Sequence, residues 1–219
     1  MKDFQNDDDS KEFSDEKVPK LIDEWISCSI STEDDDLNKL VKEVNVHKHT
    51  KSCKKGKNPC RFAFPKLPSN KTLIANPLCE EELGKEKYNE QLTKATDTLG
   101  KVKENLSLMS EEELDKTTLD EFLKELGITE EDYHWALSVS QRGKTVVLQR
   151  KLNEMWVNNY NPHFMRAWRA NIDIQFCMDS YAVITYITDY LTKGDAGLTK
   201  EFRKALLEKN TVITCAKRK

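Results

Sequence analysis

Long apolar runs are missing from this sequence. None of its 219 residues falls in a stretch approaching the roughly 20 consecutive apolar residues a membrane-spanning helix needs, so no span is expected. The amino terminus also lacks the basic and apolar sections of a secretory signal, and the chain is expected to be intracellular. Cysteine is sparse. Six are scattered along the chain, too few for a secreted disulfide scaffold, and this favours a reducing compartment. Histidine is scarcer, with four residues, and internal repeats are absent.

Charge, by contrast, is abundant and unevenly placed. Charged residues make up 33% of the chain, and the formal net charge of -3 hides local excesses of each sign. Residues 1–17, with Asp7, Asp8 and Asp9, are acidic and lack an apolar period, so they are expected to be a disordered lead. The stretch from His47 to Lys66 holds seven Lys or Arg residues and no acid. A second basic group, Arg142, Lys144, Arg150 and Lys151, is followed by Arg166 and Arg169. Lys54, Lys55, Arg61, Arg150, Arg166 and Arg169 are therefore the candidate contacts to nucleic-acid phosphates, weighed against the plain alternative of a solvated surface. At 37% hydrophobic, residues 18–219 can bury one core of moderate size.

Periodicity predicts an α+β chain, with a small antiparallel sheet flanked by helices. Apolar spacing gives short helices over Val18–Cys28 and Leu37–Val44. Four of the six prolines lie between Asn58 and Pro77, which predicts an ordered loop. Glu80–Leu106 is polar and helix-prone, Ser110 with Glu113 forms a capping box, and Thr118–Leu126 ends at Gly127. Thr129 opens a further helix through Tyr133, Trp135 and Leu137. Thr145–Gln149 and the alternating Ile172–Phe176 read as strands, followed by a helix from Ser180 to Lys193 and a last one over Leu198–Lys209.

Two constellations carry chemistry. His47, His49, Cys53 and Cys60 offer two imidazoles and two thiols, a set suited to tetrahedral zinc that would fix a loop poor in apolar residues, with Phe62 and Phe64 beneath it. The alternative is a solvent-facing histidine pair beside two unrelated thiols, because the spacing is not a paired Cys-x-x-Cys knuckle. Cys28, Cys79, Cys177 and Cys215 have no partner spacing and read as buried or incidental thiols. Tyr186 and Tyr190 stand four apart, so a helix would set both phenols on one face, with Lys193 a turn beyond. Such a pair suits nucleophilic attack on a phosphodiester, although aromatics at that spacing are more often a buried stripe beside Val183, Ile184, Ile187 and Leu191.

Between these lies a polar cluster, Asn153, Glu154, Asn158, Asn159, Asn161 and His163. Either it hydrogen-bonds a sugar-phosphate chain, with Tyr160, Trp156 or Trp168 stacking bases, or the tryptophans are core and the asparagines make turns around Pro162. Gly143-Lys-Thr145 copies the end of a phosphate-binding loop, but Ser138 stands where that motif needs glycine. No nucleotide site is expected.

The run Val147-Leu-Gln-Arg-Lys-Leu-Asn-Glu-Met-Trp-Val-Asn-Asn-Tyr-Asn-Pro-His-Phe-Met-Arg-Ala-Trp-Arg-Ala-Asn-Ile-Asp-Ile-Gln-Phe176 closely resembles the replication-initiator region of Helitron transposon proteins. So do Val46-His-Lys-His-Thr-Lys-Ser-Cys53 and Pro59-Cys-Arg-Phe-Ala-Phe-Pro65, and the resemblance extends from about Val18 onward. It implies that Tyr186 and Tyr190 are strand-transfer nucleophiles, that single-stranded DNA is the partner, and that the protein acts in the nucleus. It also implies a His-hydrophobic-His strand holding Mg2+ or Mn2+, which would precede Leu21–Cys28 and is expected to lie before Met1; His47-Lys-His49 is no substitute. The chain is then expected to be the later part of such an initiator, without its helicase, binding DNA but not cleaving it alone. The other readings are a decayed or domesticated zinc-stabilised interaction module without catalysis, and a helical adaptor built on the acidic middle from Glu80 to Asp132.

Overall fold

The computed structural model describes residues 17–30, 33–50, 53, 60, 62–141, 143, 145–178, 183, 184 and 187. Along the chain run α1 (Lys17–Trp25), α2 (Asp35–Leu40) continued by a π turn (Val41–Asn45), β1 (Leu73–Ile74), α3 (Glu80–Leu83), α4 (Lys85–Leu108), α5 (Glu111–Lys116), α6 (Leu119–Glu125), α7 (Glu130–Val139), β2 (Val146–Val147), a 3-10 turn (Leu152–Glu154) and α8 (Pro162–Trp168). Strands β1 and β2 form a two-stranded antiparallel sheet, and the chain is mixed α+β as its periodicity predicts. The described residues divide into two compact units. One draws on Met1–Ile74, Ser110–Leu119 and Val147–Gln175, the other on Ala75–Met109, Asp120–Val146 and Phe176–Lys219.

The second unit is built by helix signals written in its sequence. Helix α4 buries Ala95, Leu99, Val102 and Leu106, spaced four, three and four apart, and packs on α7. Gly127 at φ 66° ends the segment after α6, its N–H donating to the Lys124 carbonyl at 3.1 Å while Ile128 N–H reaches Leu123 at 3.0 Å. That left-handed stop suits glycine because a side chain there would be strained. Thr129 then caps α7 by accepting from Asp132 N–H at 3.1 Å.

In the first unit the core gathers Ile22, Leu37, Leu40, Val41, Leu152, Val157, Tyr160 and Met165, all buried. Three isolated antiparallel bridges tie segments remote in sequence: Ser27 to Tyr160, Val46 to Val157 and Ser69 to Arg150. Asn161 caps α8 by accepting from Phe164 N–H at 3.0 Å, and its amide donates to the Trp25 carbonyl at 2.8 Å. It thereby ties the start of α8 to the end of α1.

Two expectations need correction. Ile172–Phe176 forms no strand: Ile172 N–H donates to the Asn45 side-chain oxygen and Ile174 N–H to the Asn159 carbonyl, each at 2.9 Å. One of these bonds ends on a side chain and the other on a single backbone carbonyl, so no ladder of backbone pairs forms. The Pro-rich stretch, in turn, supplies β1, in the proline-free interval between Pro68 and Pro77.

Candidate metal centre

The chain before His47 is held by backbone pairing. Asn158 N–H donates to the Asn45 carbonyl at 2.9 Å, and His47 N–H to the Trp156 carbonyl at 2.7 Å. The buried Asn45 side chain reinforces this with a 2.9 Å bond from its amide to the Asn158 carbonyl. Successive side chains of an extended segment alternate in direction, so His47 and His49 share a side and Lys48 lies on the other. At the far end of the loop, Lys66 N–H donates to the Met155 carbonyl at 2.9 Å. Both ends of the segment from His47 to Lys66 are thus pinned to adjacent residues, Met155 and Trp156.

That closure brings the four donors together. The ligand atoms of His47, His49, Cys53 and Cys60 all lie within 4.8 Å of one another. Cys53 Sγ is 3.4 Å from His49 Nδ1, and Cys60 Sγ is 3.4 Å from His47 Nε2. Both sulfurs are buried, and both accept backbone N–H groups: Thr50 donates to Cys53 at 3.1 Å, and Phe62 and Phe64 donate to Cys60. Burial pushes the Cys60 thiol up, but those N–H bonds, together with Cys53 and the Lys66 charge, outweigh it and hold it below its ordinary value. His47 is held low by burial, by His49 and by Lys66, so its ring favours the neutral, ligating form. The four side chains form a group able to hold a metal ion.

Aromatic rings brace the group. His47 stacks on Phe64 with centroids 4.3 Å apart and planes 7° from parallel, and Trp156 lies parallel at 6.5 Å. Trp156 also meets His49 edge-on at 5.2 Å. Phe64 is buried beneath the site as expected, whereas Phe62 is 43% exposed and touches His47 at an edge. Asn45 and Trp156 are the residues that sequence reasoning did not connect with the site. For Trp156 the signal was the resemblance shared by its segment and that of His47; Asn45 lies just outside those segments and had none.

The candidate phosphate contacts fare differently. Arg150 is 4% exposed, and its guanidinium donates to the carbonyls of Glu154 and Val157 and to Asn159 Oδ1. Its place as a surface contact is corrected: it is an internal brace. Arg166 gives two bonds to Asp34 Oδ2, at 2.9 and 2.8 Å, and Arg169 pairs with Asp36 at 3.2 Å, so both join α8 to α2 and each already has an acidic partner. Glu154, in the polar cluster, is buried and accepts from Ser29 Oγ, Ile30 N–H and Lys151 N–H. Tyr160 is buried with its hydroxyl donating to the Ser29 carbonyl at 2.6 Å, which removes it as a stacking surface. Trp168, at 69% exposed, is not core.

Lys54, Lys55, Arg61, Tyr186, Tyr190 and Lys193 lie outside the described residues, as does the last expected helix. In the run that carries the tyrosines, the described Val183, Ile184 and Ile187 are helical, and Ile184 and Ile187 are about half exposed. Among the described residues no helix is long and apolar enough to cross a membrane. Compared with protein-family models, curated proteins and solved structures, the chain matches none.

Proposed function

We propose that this chain is a zinc-stabilised, single-strand DNA-handling region of a Helitron-like rolling-circle initiator. One observation carries the reading. The two segments in which the resemblance lies, Val46–Pro65 and Val147–Phe176, are far apart in sequence, yet they pair backbone to backbone at Val46 with Val157 and His47 with Trp156. Segments that resemble one family and also build one site support a common origin better than either does alone.

Zinc is the ion this donor set favours. Bonds of about 2.3 Å to sulfur and 2.0–2.1 Å to nitrogen give a tetrahedron with edges of roughly 3.3–3.8 Å, and the two 3.4 Å nitrogen-to-sulfur separations match such edges. Its role is structural, since four protein ligands leave no open position. Strand transfer would fall to Tyr186 or Tyr190: the phenol oxygen bonds to phosphorus as the strand's own P–O bond breaks, its proton is lost, and Lys193 offsets charge on the phosphate. Mg2+ or Mn2+ would serve that step only in a protein that also carries the histidine strand.

The test has two parts. Elemental analysis of the purified chain should find one zinc per chain, and a metal-free chain with unchanged folding would refute the metal assignment. With the upstream histidine segment added and Mn2+ present, labelled single-stranded DNA should form a covalent adduct lost in Tyr186→Phe or Tyr190→Phe. An adduct untouched by both changes would refute the nucleophiles. The second reading, a zinc-stabilised interaction module without catalysis, draws on the engagement of Arg150, Arg166 and Arg169 within the fold, and it predicts no adduct at all.

A further inference from the structure

Resting on the assignment of zinc to His47, His49, Cys53 and Cys60, we propose that Cys53 and Cys60 are a reversible oxidation site for hydroperoxides, joined as a disulfide when the metal leaves. Their sulfurs belong to a group whose ligand atoms all lie within 4.8 Å of one another, so a sulfur oxidised there has a second sulfur beside it. That neighbour is what turns oxidation toward a disulfide and away from higher acids. Cys28, the other buried thiol of this unit, is committed instead to the Gln149 carbonyl at 3.1 Å.

Thiolate is the form that attacks a peroxide, and metal ligation keeps both sulfurs in it. Both are buried, with Phe64 and Trp156 packed on them, but the group reaches solvent at His49, which is exposed, and that is the side from which a small peroxide approaches. One thiolate attacks a peroxide oxygen, the O–O bond breaks and hydroxide leaves, giving a sulfenic acid. The second thiolate attacks that sulfur and displaces another hydroxide. The two thiolates thus give up two electrons, the peroxide accepts them, and two protons from solvent convert the hydroxides to water. The disulfide carries no thiolate charge, so two neutral imidazoles remain and the zinc dissociates.

The test treats the reduced, zinc-loaded chain with hydrogen peroxide while a chromogenic chelator reports free zinc. The bound zinc should be released in step with a Cys53–Cys60 linkage found by peptide mass spectrometry, with Cys28 still reduced. Dithiothreitol followed by fresh zinc should reverse both changes. Cys177→Ser should release zinc as the unmodified chain does, because the exposed Cys177 is not a ligand. Zinc that stays bound after Cys177 has been oxidised overturns the oxidation site and leaves the zinc assignment standing. So does zinc lost with Cys53 and Cys60 carried unpaired to sulfinic acid, or release abolished by Cys177→Ser. A reduced chain that takes up no zinc overturns that assignment, and the oxidation site with it.

Discussion

The guanidinium of Arg150 commits donors to two backbone carbonyls and a side-chain amide, all inside the first unit. Burial lowers its pKa, while nearby Cys28, Glu154 and Asp173 work in the opposite direction. Removing it leaves those acceptors buried and unpaired, so Arg150→Ala should destabilise the chain by about 3 kcal/mol, read as a lower urea midpoint. Beside it, burial pushes the Cys28 thiol up to about 11, with Arg150 pulling the other way. An unfolded thiol ionises near 8.5, so the folded state keeps its proton over a window where the unfolded state has lost it. Stability from this group is unaffected below that window and falls as pH rises through it. Iodoacetamide at pH 8 should label the exposed Cys177 well before Cys28, as peptide mass spectrometry would show; equal labelling would mean that Cys28 is not enclosed.

At the scale of elements, the described residues of the segment from His47 to Lys66 share one small apolar cluster. Cys53, Cys60 and Phe64 make a small apolar cluster with Trp156 packed against it, far less than a helix such as α4 buries. The two pinned ends add to this, and a metal held by the four side chains would add more. Cys60→Ser should therefore abolish stoichiometric zinc and speed amide exchange around Cys53, Cys60 and Phe64, with little change in α4 and α7. Helix α8 depends on a different device. Asn161→Ala removes both its cap and the tie to the Trp25 carbonyl, at a cost of about 1–2 kcal/mol in thermal or urea unfolding.

For the whole molecule, the two units draw on different sources of stability. Unit two rests on helix-on-helix burial between α4 and α7, whereas the metal group lies wholly in unit one. A ligand that binds only the folded state stabilises it in proportion to the logarithm of its excess over the dissociation constant. Chelation should thus lower the melting transition reported by Trp156 near the site, and leave most helical circular dichroism in place at that temperature. Simultaneous loss of both signals would show that the metal governs the entire chain.

Local rules decided much of this protein from sequence alone. Ser110 and Thr129 cap their helices, Gly127 stops one, and Glu80–Leu106 is helix-prone, because each signal acts over a turn or two of backbone. His47, His49, Cys53 and Cys60 were legible as a candidate metal group too, since their residue types limit what they can do together. What only the tertiary structure decided was direction and partnership. Ile172–Phe176 has the alternation of a strand, but its backbone bonds go to the Asn45 side chain and to one carbonyl, Asn159, with no ladder. Arg150, Arg166 and Arg169 have the composition of a phosphate surface, but Arg150 turns inward onto carbonyls of the turn that follows it, and Arg166 and Arg169 meet aspartates more than a hundred residues away. The convergence of His47, His49, Cys53 and Cys60 likewise waits on Met155 and Trp156, which clasp the two ends of their loop.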